Sequence, residues 1–160
     1  MSTTPKVSAS QIGAYRLCPR RWWFKSVQRL PEPKTPALIF GDRFAKAVEQ
    51  QLLGNPVVPT GDAAADVTIA RMLDAARAYF PEPMPRIRPE HAISFEVPGG
   101  GEMTGAIDVL DLRGPVPIIR DHKTRAARRY APSVQELAGD LQLTIYAHAV
   151  ALELDAPACA

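Results

Sequence analysis

Two aspartates and a lysine are the residues of this chain best suited to chemistry. Asp108 lies in GAIDVLDL, an apolar segment that predicts a central strand, and Asp121 and Lys123 lie at the end of the strand-like PIIRDHKT. In a strand, residues i and i+2 point to one face, so Asp121 and Lys123 would project together while His122 points away. Two carboxylates that hold a divalent cation, with a lysine that acts on water or on developing charge, are the components of metal-assisted phosphodiester cleavage.

Each of these residues also has a simpler interpretation. A buried carboxylate such as Asp108 needs a compensating partner, which a structural hydrogen bond can provide as well as a metal, and an isolated D-x-K can be a strand-end salt bridge. The separation of 13 residues between Asp108 and Asp121 favours chemistry, because it suits adjacent antiparallel strands joined by a short turn. Gln142 and Tyr146, spaced i, i+4, would share a helix face; alone, such a pair is typical of any helix surface.

The elements expected to position these residues form a mixed α+β fold. The N-terminal part, residues 1–90, is predicted to be helical, and residues 91–160 are predicted to form a three-stranded sheet core with a long C-terminal helix. Together they would make one domain over residues 1–160. Periodicity and turn signals place helices from Gln11, capped by Ser8 or Ser10, over Ala37–Leu53, over Asp62–Phe80 and over Ser133–Leu154. Strands are predicted over Ala92–Val97, Met103–Leu112 and Pro117–Thr124, with a turn at Gly99–Gly101 between the first two.

Composition excludes several classes of protein. The chain has 160 residues and 46% of them are hydrophobic, which supports a packed core. No apolar segment approaches the length of a membrane-spanning helix, and the N-terminus does not resemble a signal peptide. Two cysteines suit a reducing compartment, so we expect a cytoplasmic protein. The three histidines form no zinc-ligand pattern, and no nucleotide-binding P-loop motif is present.

Basic residues are concentrated near the N-terminus. Residues 1–61 carry nine Lys/Arg and three Asp/Glu, which suits a polyanionic partner, although a solvated charged surface is the alternative. In CPRRWWFKSVQR, Arg20 and Arg21 could contact phosphates and Trp22 could stack on a base. The alternative is that a tryptophan anchors the helix; helical spacing predicts one tryptophan buried and the other partly exposed. Further candidates for phosphate contacts directly follow Lys123: Arg125, Arg128 and Arg129.

The order of these motifs resembles the PD-(D/E)XK nuclease superfamily, in its RecB-like or AddB-like exonuclease branch. The matching pieces are SASQIGAYRLCPRRWWF, the helix with Gly41 and Glu49, G-x-x-D ending at Asp108, the D-x-K motif, and Gln142-x-x-x-Tyr146. The resemblance implies a restriction-endonuclease-like core and a nuclease of the exonuclease type that acts on DNA in repair, recombination or phage DNA processing. A helicase or another recombination protein would be its partner; no membrane partner is expected.

The resemblance also implies roles for individual residues. Asp108 and Asp121 would be ligands of Mg²⁺ or Mn²⁺, Lys123 the catalytic lysine, and the carbonyl of His122 a further ligand. Glu49 would assist the metal site. The remaining implied positions are Gln142 and Tyr146, which would position the DNA backbone or the carboxylates, and Glu96, at a place where relatives often carry a glutamate.

Three departures from the branch pattern keep alternatives open. The metal-binding histidine common four residues after the first-motif glycine is Ala45 here. Cys18 matches the first cysteine of an iron–sulfur cluster found in some relatives, but Cys159 alone cannot supply the other three, so no cluster is expected. The chain ends where relatives usually add a strand, which suggests a fragment or a shortened member. The alternatives are a catalytically degenerate nucleic-acid-binding module, a subunit of a helicase–nuclease complex, or an interaction protein.

Overall fold

The computed structural model describes residues 4–80, 85–124 and 131–155. It confirms a mixed α+β fold, consistent with a restriction-endonuclease-like core. In chain order, the described elements are β1 (Lys6–Val7), α1 (Ala9–Leu17), α2 (Pro19–Trp22), a π-helical turn (Trp23–Val27), α3 (Pro36–Leu52), α4 (Ala63–Ala76), β2 (Ile87–Val97), β3 (Gly101–Asp111), β4 (Ile118–Arg120), α5 (Val134–Ala138) and α6 (Leu141–Leu154).

Strand β3 is the centre of the sheet. It pairs with β2 and β4, and also with the short parallel strand β1, which sequence periodicity did not reveal because two residues carry no alternation. The β2–β3 connection turns through Gly99 and Gly100, whose φ values of 100° and 85° lie in the region that glycine enters without strain. The predicted glycine turn is therefore confirmed, and the described sheet has four strands rather than three.

Several predicted boundaries were wrong. Strand β2 begins at Ile87 rather than at residue 92, and β4 ends at Arg120, so Asp121, His122 and Lys123 follow the strand instead of lying in it. The predicted single C-terminal helix is two helices. Gly139 ends α5, and the Asp140 side chain accepts the backbone N–H of Leu143 to begin α6, an N-cap that starts a new helix despite the continuous apolar spacing.

The chain divides into two compact units, which are Met1–Pro33 with Ala92–Ile107 and Tyr130–Ala160, and Lys34–His91 with Asp108–Arg129. In the first unit, Ser8 caps α1 and exchanges hydrogen bonds with Gln11, and α1 contacts α6. Helix α6 buries Ile145, Tyr146, Ala149 and Val150. No helix in the part of the chain that the structure describes is both long and apolar enough to traverse a bilayer.

The second unit has its own apolar core. Helix α3 begins at Pro36, where Thr35 accepts the N–H of Leu38, and it packs against α4. The buried members of this core come from α3, α4, β2 and β3: Phe44, Ala47, Val48, Leu52, Ile69, Leu73, Ile87 and Val109. This core supports α3 and the strands that carry the candidate catalytic residues.

Candidate active site

The pairing of β3 with β4 brings the two candidate aspartates together. The strands are antiparallel, with Val109 opposite Arg120 and Leu110 opposite Ile119. Continuing this register by one residue places Asp108 opposite Asp121, immediately after β4. The Asp108 carboxylate also accepts the backbone N–H of His122, at 2.5 Å. The arrangement of adjacent antiparallel strands predicted from the spacing of these aspartates is confirmed.

Asp121 and Lys123 form a close ion pair. Lys123 Nζ lies 2.5 Å from Asp121 Oδ2, and the two side chains are 53% and 11% exposed, respectively. Asp121 therefore lies mostly below the surface, while the ammonium group of Lys123 is open to solvent. The two side chains project together, as predicted, although the backbone that carries them is no longer a strand.

The His122 side chain does not point away from the carboxylates, and that prediction was wrong. Its Nδ1 lies 3.8 Å from Asp108 Oδ2, and its ring packs edge-to-face on Phe80, with the ring centroids 5.2 Å apart. Strand alternation no longer fixes its direction, because β4 ends two residues earlier. Burial lowers the pKa of His122 below its ordinary value, although the charges of Asp108 and Asp121 act in the opposite direction. Burial therefore favours the neutral form of this imidazole.

Helix α3 approaches the end of the D-x-K segment at Gly41. Ala45 and Glu49 follow Gly41 at four-residue spacing and so share its helix face. A Cβ atom on Gly41 would lie 3.2 Å from Thr124 Oγ1. A glycine at this position therefore lets the residue that follows Lys123 approach the helix closely.

Glu90 is an acidic neighbour of Asp108 that the sequence analysis missed. The N–H of Leu112 donates to the carbonyl of Arg86 at 2.9 Å, where β2 and β3 run side by side, and Glu90 on β2 interacts electrostatically with Asp108 on β3. Partial burial of its carboxyl group raises the pKa of Glu90, and the charges of Asp108 and Glu49 raise it further, although the residue as a whole is exposed. The signal was present in the sequence, since Glu90 and Asp108 are equally distant from Gly99 in the predicted turn.

Comparison with known proteins identifies the family. The model of the PD-(D/E)XK nuclease superfamily matches residues 6–158. The chain belongs to this superfamily. Its predicted superfamily resemblance is confirmed, and membership indicates a nuclease-type function. No curated protein and no solved structure gave a significant match.

PD-(D/E)XK nucleases generally use divalent metals such as Mg²⁺ or Mn²⁺. Hard cations take oxygen ligands, and the register of β3 and β4 places the carboxylate-bearing residues Asp108 and Asp121 opposite one another. Among residues 4–80, 85–124 and 131–155, however, no three acidic, histidine or cysteine side chains converge tightly enough to enclose an ion. Asp108 and Asp121 are the residues that would hold it.

Gln142 and Tyr146 form a hydrogen-bonded pair on α6, in the first unit of this PD-(D/E)XK chain. Gln142 Nε2 donates to Tyr146 Oη at 2.8 Å. The tyrosine ring packs on the glycine of the G-x-x-D motif, because a Cβ atom on Gly105 would lie 3.2 Å from Tyr146 Cε1. Their shared helix face is confirmed, and their role in positioning DNA or carboxylates stays a prediction.

The predicted nucleic-acid contacts are described only in part. Arg21 donates to Glu32 at 3.1 and 2.7 Å through Nε and Nη2, and the Arg20 guanidinium lies over the Phe24 ring. Trp22 is half-buried against Tyr15 and Trp23 is 47% exposed, so the prediction of one buried tryptophan was wrong. Three of the predicted contact residues, Arg125, Arg128 and Arg129, lie outside the described residues.

Proposed function

We propose that this chain is a Mg²⁺- or Mn²⁺-dependent deoxyribonuclease, an exonuclease of the RecB-like or AddB-like branch. It hydrolyses phosphodiester bonds during DNA repair, recombination or phage DNA processing, with a helicase or another recombination protein as a partner. The observation that carries the proposal is the Asp121–Lys123 ion pair at 2.5 Å beside Asp108, whose carboxylate is held by the N–H of His122.

Each residue around this ion pair has a separate role in the proposed reaction. The backbone N–H of His122 orients the Asp108 carboxylate, and Asp121 fixes the position of the Lys123 ammonium group. Because Lys123 is half exposed, this group can contact a phosphate oxygen and stabilise the charge that develops on it. A bound divalent cation would activate water and neutralise phosphate charge.

Site variants test the proposal directly. We expect Asp108→Asn, Asp121→Asn and Lys123→Ala each to lower cleavage of end-labelled linear DNA by at least about a hundredfold, the usual effect of removing a group that stabilises transition-state charge. Asp74→Asn is the matched control, because Asp74 forms an exposed ion pair with Arg77 on the surface of α4. Cleavage is measured on single- and double-stranded DNA with Mg²⁺ or Mn²⁺, and circular dichroism checks that each variant is folded.

Linear and closed circular DNA distinguish an exonuclease from an endonuclease, and a binding assay distinguishes both from a module that only binds DNA. An exonuclease degrades linear DNA and leaves closed circular DNA intact, whereas cutting of the circle indicates an endonuclease. Full activity of Asp108→Asn would contradict the assigned site. If the wild-type chain binds DNA in a salt-sensitive way but cuts none of these substrates, the second candidate, a degenerate nucleic-acid-binding module, is correct. The alanine at position 45, in place of the usual histidine, favours that candidate.

A further inference from the structure

We propose that the second unit binds a small organic anion, an apolar body with one anionic group, in a cavity between α3 and α4. The cavity has a volume of about 780 Å³, within the range of about 300–1,000 Å³ that is typical of small-molecule sites. The described residues that line it fall within residues 43–77 and include none of the proposed catalytic residues. The inference therefore does not depend on the proposed nuclease activity.

The cavity lies on a face of α3 different from the one that meets the D-x-K segment. Gln50, which lines it, follows Gly41 by about two and a half helical turns, so the two residues lie on opposite sides of the helix. Three of the lining residues, Ala47, Ile69 and Leu73, are buried and apolar. The two helices therefore offer an apolar surface that is separate from the candidate active site.

The third wall of the cavity is the segment of residues 57–60, which hydrogen bonds hold to both helices. The N–H of Val58 donates to Gln50 Oε1 on α3 at 2.9 Å. Thr60 donates to Asp66 Oδ1 on α4 through its N–H at 2.9 Å and through its hydroxyl at 2.7 Å. Because these bonds fix the wall, the cavity exists before a ligand binds, as is usual for small-molecule sites.

Apolar side chains of the cavity lining remain in contact with water. Val57 and Val58 are 40% and 63% exposed, and Ala70 on α4 is also exposed. Removing apolar surface from water is favourable, so the apolar body of a ligand would gain free energy by covering these side chains.

The cationic groups of the cavity lining favour an anion. Lys46 is exposed and, among residues 4–80, 85–124 and 131–155, has no carboxylate partner. Arg43 lies 3.6 Å from Asp62 through Nη1, which leaves other donors of its guanidinium group for a ligand. Both side chains are on α3, so they can bind one carboxylate, phosphate or sulfonate group at the same side of the cavity.

The two carboxylates that line the cavity already have partners. Asp66 accepts both hydrogen bonds from Thr60, and Asp74 pairs with Arg77 at 3.2 Å. Three Lys/Arg side chains and two Asp side chains line the cavity, so its net charge is +1. The lining therefore complements an anion, with Lys46 as the cation whose charge is not offset by a carboxylate.

The dye anilinonaphthalene sulfonate tests the inference, because it joins an apolar body to one sulfonate and reports apolar surroundings by fluorescence. Titrated into the full chain, it should bind one molecule per chain. Lys46→Gln should raise its dissociation constant by about threefold, the usual effect of one exposed charge pair. Ala70→Leu should raise it by at least about tenfold, because the larger side chain occupies the cavity. The matched controls are exposed on α4 outside the cavity: Arg71→Gln and Ala75→Leu.

A neutral dye, phenylnaphthylamine, separates charge from apolar contact. Ala70→Leu should weaken its binding, whereas Lys46→Gln should not. If Lys46→Gln leaves the binding of the anionic dye unchanged, or weakens both dyes equally, the assignment of an anion is overturned. If Ala70→Leu binds the anionic dye as tightly as Ala75→Leu does, the dye lies outside the cavity and the inference is also overturned.

Two further variants complete the test. Lys123→Ala should bind the anionic dye like the wild type; weaker binding would show that the dye occupies the proposed active site, which overturns this inference and leaves the proposed function standing. Val57→Asp places a carboxylate on the cavity wall and should weaken binding of the anionic dye by repulsion. It replaces Ala70→Leu if circular dichroism shows that variant to be unfolded.

Discussion

Asp108 accepts a backbone N–H from His122, and Asp121 forms an ion pair with Lys123, so local contacts help to position each charged group of the site. Burial lowers the pKa of His122 although the ring lies beside Asp108. Among the described residues, the site therefore combines the two carboxylates with the ammonium group of Lys123. A residue without any side chain, Gly41, controls how closely the segment after Lys123 approaches α3.

We expect Gly41→Ala to reduce cleavage more than it reduces stability. The new methyl group would lie 3.2 Å from Thr124 Oγ1 and displace the residue next to Lys123, whereas alanine is favoured over glycine inside a helix by about 1 kcal/mol. The melting temperature should stay constant or rise while kcat falls by about tenfold, as expected for a catalytic group displaced by a fraction of an ångström.

Gly13→Ala is the control for this experiment. Gly13 lies in α1, and nothing lies within 4 Å of the Cβ position it lacks. This substitution should raise the melting temperature without changing kcat. Equal kcat values for both variants would show that the approach of Thr124 to α3 has no part in catalysis.

At the scale of elements, a buried aspartate ties β4 to β3. Asp111 is only 2% exposed and accepts hydrogen bonds from Arg113 Nε and Nη2 at 2.9 and 2.8 Å. Arg120, on β4, approaches the same carboxylate at 3.5 Å. These contacts help to fix the register that places Asp121 opposite Asp108. The side-chain hydrogen bonds of Arg113 are the main reason why the pKa of Asp111 falls to about 2.

This pKa predicts how stability depends on pH. Because the pKa of Asp111 is lower in the folded chain than the ordinary value of 3.8, its contribution is complete above about pH 4 and is lost as the pH falls towards 2. We expect Asp111→Asn to lower the free energy of unfolding by about 2 kcal/mol at pH 7, measured by urea titration. The difference from the wild type should shrink as the pH approaches 2, and a difference that is constant with pH would show that the ion pairs contribute nothing.

For the whole molecule, the basic excess of residues 1–61 is partly neutralised by internal pairs. Glu32 binds both Arg21 and Lys25, at 2.7 and 2.9 Å, and Lys6 binds Glu102 at 3.0 Å. The hydrogen bonds from Lys25 and Arg21 are the main reason why the pKa of Glu32 is lowered. The charge available to a polyanion is therefore smaller than the sequence count indicates, and it depends on whether Glu32 keeps its partners.

Glu32→Gln should release both cations and strengthen DNA binding. At low salt we expect the affinity for single-stranded DNA to rise, and the slope of log K against log salt to become steeper by about 0.7 for each phosphate newly contacted. Glu136→Gln is the control, because Glu136 participates only in the cap of α5 with Ser133 and glutamine can replace it there. Fluorescence anisotropy at several salt concentrations measures both quantities. Identical slopes for the two variants would exclude a phosphate contact by Arg21 or Lys25.

The sequence alone determined the superfamily motifs and the elements that local chemistry specifies. The spacing of Asp108 and Asp121 implied adjacent antiparallel strands, and the glycines at 99–101 marked the turn. Ser8 or Ser10 marked a helix start, and the structure selects Ser8; turns and caps depend on a few consecutive residues. The break at Gly139 and Asp140 was also encoded locally, but the continuous apolar spacing of the two helices concealed it.

The tertiary structure alone decided which charges meet. Glu90 on β2 comes near enough to Asp108 on β3 for their charges to interact, and Glu32 binds Arg21 across a loop. His122 points towards Asp108 because β4 ends at Arg120. Each of these contacts depends on where a strand begins or ends, or on the path of a loop, and a shift of one residue would move a strand side chain to the opposite face. A short sequence window contains the charged residues but not the pairing that brings them together.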